Sequence, residues 1–102
     1  MAAYHESALH GRWIHAHEED TDGEMVFRPA SRPLAPSRGR MRLELRPGGA
    51  FVERSPGPVD VPVESTGSWS LEGGRLVLHA DDDTSQAWDI AKVEADRLVL
   101  RK

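Results

Sequence analysis

Arg40-Met41-Arg42-Leu43-Glu44-Leu45-Arg46, followed by Pro47-Gly48-Gly49 and then Ala50-Phe51-Val52-Glu53-Arg54, reads as two strands joined by a turn. Successive side chains of a strand point to opposite faces, so Met41, Leu43 and Leu45 share one side while Arg40, Arg42, Glu44 and Arg46 share the other. The prolines of Ser55-Pro56-Gly57-Pro58 end the second strand, because proline lacks the donor that a central ladder requires.

The same grammar extends in both directions. Downstream, Glu64 to Leu71 runs into Glu72-Gly73-Gly74 and returns as Arg75 to His79, with the glycines supplying the backbone freedom of a tight hairpin. Ser85 to Glu94, with Trp88 and Ile90 on one face, turns at Ala95-Asp96 into Arg97 to Arg101. Upstream, Gly11 to Glu18 and Glu24 to Arg28 flank Asp20-Thr21-Asp22-Gly23, whose Asp-Gly favours a hairpin. Residues 29 to 39, with Pro29, Pro33 and Pro36, form the one long connection, and Glu6 to His10 supplies at most one short N-terminal helical turn. No stretch carries a convincing helical stripe. Eight sequential antiparallel strands are expected to close into an all-β, up-and-down β-barrel over a single domain, residues 1–102, since closure removes exposed edges.

Composition narrows the setting. At 102 residues, 38% apolar and 29% charged, the chain builds one modest core and escapes the disordered corner of composition space. It contains no cysteine, no apolar run long enough for a membrane helix, and a start, Met1 to Glu6, without a basic cap or apolar stretch. A cytoplasmic protein that engages no membrane is expected, as monomer or homodimer. The net charge of −4 argues against nucleic acid as a partner. It conceals blocks, however: residues 1 to 27 hold six acids and one Arg, whereas residues 28 to 54 hold seven Arg and two Glu.

Leu9-His10-Gly11-Arg12-Trp13 resembles the N-terminal Gly-x-Trp signature of lipocalins and the wider calycin group. Gly67-Ser68-Trp69-Ser70-Leu71-Glu72-Gly73-Gly74-Arg75-Leu76-Val77-Leu78 is similar to a hairpin of short bacterial lipocalin-like domains. The resemblance implies a barrel with Trp13 plugging one end and an arginine from the last strand, Arg97 or Arg101, lying across its ring. This chain is shorter than typical lipocalins, so its barrel is squat.

Several side chains carry candidate chemistry. His15-Ala16-His17 places two imidazoles on the Trp13 side if the strand runs through them; if the strand ends near His15, the pair belongs to a solvated rim beside Glu18-Glu19-Asp20. Glu18 to Asp22 and Asp81-Asp82-Asp83 lack the alternating spacing of a calcium loop and read as hairpin tips, so neither a metal nor a cofactor is assigned. Arg28, Arg32, Arg38, Arg40 and Arg42 converge at one end of neighbouring strands. They read either as an anion clamp or as a charge lock against the acidic first segment. Trp13, Trp69 and Trp88, with Phe27, Phe51 and Met41, either line a pocket or fill the barrel.

The leading expectation is noncatalytic binding of a small, partly apolar, acidic molecule. Trp69, Trp88, Met41 and Phe51 would supply burial, Arg38 or Arg40 the charge, and His15 and His17 further contacts. An alternative is a small barrel isomerase or cyclase of a natural-product pathway using His15 or His17 as acid and base. A second alternative is a protein-interaction module or protease inhibitor.

Overall fold

A computed structural model describes residues 8–32, 40–55 and 63–101. Its strands are β1 (Gly11–His15), β2 (Glu24–Pro29), β3 (Arg42–Leu45), β4 (Ala50–Ser55), β5 (Val63–Glu72), β6 (Arg75–Ala80), β7 (Ser85–Glu94) and β8 (Arg97–Arg101), with a 3-10 turn over His17–Glu19. All eight pair antiparallel and close into one up-and-down barrel, as the alternation predicts. Around the ring β1 stands between β2 and β3, and β2 meets β8, so β2 and β3 are separated by β1 although they follow one another in the chain. Of residues 6 to 10, where a short helical turn is expected, 8 and 9 form a turn before β1, while residues 6 and 7, like Arg38, lie outside the described residues. None of the described helical segments is long and apolar enough to cross a membrane.

The interior follows from register. Trp13 stands opposite Leu43, Leu45 opposite Phe51, and Phe27 opposite Leu98, so the apolar faces of neighbouring strands meet inside. There they form one cluster with Leu9, Trp69, Leu76, Leu78, Ile90 and Leu100. In β7 the register shifts between Ile90 and Lys92. That bulge adds one residue to the strand and brings both Ile90 and Val93 against the core, which strict alternation would have placed on opposite faces.

One end of the barrel is closed by backbone-directed bonds. Trp13, 4% exposed, donates its indole N–H to the Leu9 carbonyl at 3.0 Å, drawing the fully buried Leu9 under the barrel. Trp69 donates its Nε1 to the Arg46 carbonyl at 3.0 Å and packs its edge against His10. The expected arginine over Trp13 is not found: the alternation that turns Leu98 and Leu100 inward sends Arg97 and Arg101 outward, to Glu94 and Glu24.

β1 is shorter than its sequence pattern predicts. It stops at His15, and Ala16 turns into the buried interior with its N–H bonded to the Val26 carbonyl. The cause is Asp20, whose carboxylate accepts the Val26 N–H at 2.9 Å and the His15 Nε2–H at 2.8 Å, folding the 3-10 turn back over the strand end.

Candidate functional site

β3 separates the two ends of the site expected from sequence. Arg40 and Met41 precede its first residue, and the Met41 carbonyl accepts the His15 N–H at 2.8 Å. Arg46 follows its last residue and receives the Trp69 indole. His15, Arg40 and Met41 therefore gather at one end of the barrel, while Trp69 is buried at the other, 5% exposed, with Phe51 beside it in the core. Trp88, half-buried, faces Leu76 across β6 and β7. The aromatic residues thus serve as floor and filling rather than as one continuous wall.

At the Met41 end the imidazoles part company. His15 packs on Phe27 with ring centroids 5.1 Å apart and is held by Asp20; His17, where the strand has already ended, is exposed. Their rings lie edge to face at 6.2 Å. Among the described residues, no group of three His, Asp or Glu side chains is placed to hold a metal ion.

Arg40 is committed to the protein itself. Its guanidinium, 8% exposed, gives Nη1 to the His15 carbonyl and forms two parallel bonds with the Glu18 carboxylate, at 2.8 and 2.6 Å. Arg28 likewise meets Glu19, with Nε to Oε2 at 2.8 Å, and Arg32 meets Asp96 at 3.1 Å. Arg28 and Arg40 are therefore tied to the acidic first segment, whereas Arg32 meets Asp96 in the turn between β7 and β8. The Glu18 carboxyl is lowered from 4.5 to about 2, chiefly by its hydrogen bonds from Arg40.

One ionisable group that the sequence reading passed over faces inward. Glu53 stands opposite Leu43 on one side and Ser65 on the other, and shares its face with the core residue Phe51 two positions earlier. Burial pushes its carboxyl above the ordinary range, opposed in part by a hydrogen bond from Ser55. The signal was present in the alternation Phe51-Val52-Glu53: if Phe51 faces in, so does Glu53. Met25, opposite Leu100, and Met41 pack against the same core, only partly buried. Glu53, Ser55, Ser65, Met25 and Met41 are thus the polar and flexible members of an otherwise apolar interior.

Among the hollows formed by the described residues, two lie outside the barrel. One, of about 330 Å³, is lined by Arg12, Arg42, Arg46 and Arg54 with Glu44 and Glu64 on the outer face of β1, β3, β4 and β5. The other is broad and open and lies beside His10, Gly11, Trp13 and Pro29.

A family model described as a lipocalin-like domain matches residues 9–100. Neither the curated proteins nor the solved structures yield a match.

Proposed function

This chain belongs to the lipocalin-like domain family, and on that premise we propose that its barrel binds a small, partly apolar molecule without chemical change, through the inward-facing end that holds Met25, Met41 and Glu53. The observation that carries the reading is the position of Glu53: a carboxylate turned toward an apolar interior, with Ser55 and Ser65 as its nearest polar companions in register. Glu53 is half-buried and keeps one partner, Ser55, and a ligand that donates a further hydrogen bond offsets the remaining cost of its burial.

The chemistry of the end sets the polarity of the ligand. An acidic group would need Arg38 or Arg40 as its counterion; the Arg40 guanidinium is engaged by Glu18 and the His15 carbonyl, and Arg38 lies outside the described residues. A ligand whose polar end donates a hydrogen bond to Glu53, an alcohol, phenol or amine, fits the interior better. Methionine thioethers are adaptable walls for such a body. Phe51, two residues before Glu53 on the same strand, faces the same interior.

A second reading rests on the 2.8 Å contact between His15 and Asp20, the arrangement in which a carboxylate orients an imidazole for proton transfer. It makes the barrel a small isomerase or cyclase. Asp20 also holds the Val26 N–H, however, which a structural turn alone would require. The interaction-module reading has no such support, since Val63 is the only large apolar side chain exposed among the described residues.

The test is a titration of the Met25 and Met41 methyl resonances with 4-ethylphenol, 2-phenylethylamine and phenylacetate. Saturable shifts with the two donors, weaker with the anion, and a loss of about tenfold in affinity in Glu53→Gln are expected, as for a hydrogen bond to a charged group. Unmoved methyl resonances at millimolar probe would refute the proposal.

A further inference from the structure

The outer hollow on β1, β3, β4 and β5 is built by register. Arg12, Glu44 and Val52 form one cross-strand row, and Ile14, Arg42, Arg54 and Glu64 form the next. Val52, Ile14 and Ala30 are short beside the arginines and glutamates around them, and that difference in length makes the floor of a cavity of about 330 Å³. This volume suits a small ligand.

Its charge is unbalanced. Glu44 serves both Arg46, at 2.6 Å, and Arg12, at 3.6 Å, and Glu64 serves Arg54 at 2.9 Å. Four arginines against two glutamates leave two positive charges in excess, on a chain whose net charge is −4. Arg42 has no ion-pair partner among the described residues, although it stands directly opposite Arg54. Like charges placed directly opposite across two strands destabilise the pair, so the sheet carries an electrostatic cost here that folding does not require.

We propose that this hollow is a second binding site, separate from the barrel interior, for a small phosphate monoester whose dianion lies between Arg42 and Arg54 and whose apolar group covers Val52 and Ile14. A phosphate monoester near neutral pH carries between one and two negative charges, matching the excess, and its oxygens accept the forked donors of guanidinium groups. The hydrogen bond from Arg46 keeps the Glu44 carboxyl below the usual carboxylate range, so the wall of the site stays ionised.

The experiment is a titration of the intact protein with phenyl phosphate at low ionic strength and pH 7.5, read on the Ile14 and Val52 methyl resonances. Saturable shifts are expected, with inorganic phosphate weaker than phenyl phosphate. Arg42→Gln should weaken binding at least tenfold while leaving the melting temperature equal or higher, because it relieves the opposition to Arg54. Arg75→Gln, which removes an exposed arginine paired with Asp89 elsewhere on the barrel, should leave binding unchanged. Shifts that grow linearly without saturating, equal losses in the two variants, or inorganic phosphate binding as tightly as the ester would each overturn the proposal. Since the readout is on outward methyls, failure here leaves the interior site untouched.

Discussion

Arg40 and Glu18, distant in sequence, face each other through two parallel hydrogen bonds of 2.8 and 2.6 Å that tie the start of β3 to the turn after β1. Because β1 already pairs with β3, the contact fastens the corner where the barrel closes upon itself. Glu18→Gln is expected to speed amide exchange at Ala16 and Glu19, whose N–H groups bond within that corner, and to leave the β5–β6 hairpin unchanged. Equal protection in variant and parent would show the contact to be ornamental.

The same pair sets an acid limit. The Glu18 carboxyl is lowered from 4.5 to about 2 in the folded state, so its contribution is complete above about 4.5 and is lost as pH falls toward about 2. Melting temperatures of the parent and Glu18→Gln should therefore differ near neutral pH and converge as pH approaches 2. A constant difference across that window would contradict the assignment.

Glu53 should act in the opposite sense. Burial raises its folded-state pKa, so the proton is bound more tightly in the native protein, and stability is greatest below the ordinary 4.5 and declines as pH rises through the raised value. Glu53→Gln is expected to melt above the parent at pH 7 and with it at pH 3.5. A variant less stable than the parent at pH 7 would place Glu53 in a stabilising network instead.

Trp13→Ala should destabilise the barrel by about 3–5 kcal/mol, because it removes a buried indole and releases Leu9 from beneath the sheet. A loss below about 1 kcal/mol in chemical denaturation would show that Trp13 is not the plug.

Gly67→Ala tests the closeness of β4, β5 and β6. A methyl group there would sit 2.0 Å from the His79 carbonyl oxygen and 2.8 Å from both the Ala80 Cα and the Phe51 ring, two of the three contacts being backbone. Destabilisation of about 1–3 kcal/mol, or failure to fold, is expected. By contrast Gly73 and Gly74, at φ +60° and +79°, are needed for the turn itself and face open space.

What the sequence made legible was whatever alternation alone decides. The β3–β4 hairpin, the Gly73-Gly74 turn and the Ala95-Asp96 turn all appear where period-two patterning places them. The end of β1 was not legible, because it depends on Asp20 reaching both His15 and Val26, a choice made by tertiary geometry rather than by local pattern. Nor was the ring order, since β1 standing between β2 and β3 is fixed only when the barrel closes. For the site, the charge blocks pointed to arginines meeting the acidic segment, yet not to which acid each would take. Arg42 found none among the described residues, while Arg40 took Glu18. Glu53 was overlooked because a charge in a strand is ordinarily assigned to the solvent face, although its parity with Phe51 put it inside.

The most direct test of interior binding is a measurement of nuclear Overhauser contacts between the ring protons of bound 4-ethylphenol and the methyl groups of the protein. Contacts to the Met25 and Met41 methyls, with none to Ile14 or Val52, are predicted. Contacts confined to Ile14 and Val52, or a complete absence of contacts while the methyls of the core see only one another, would contradict the account.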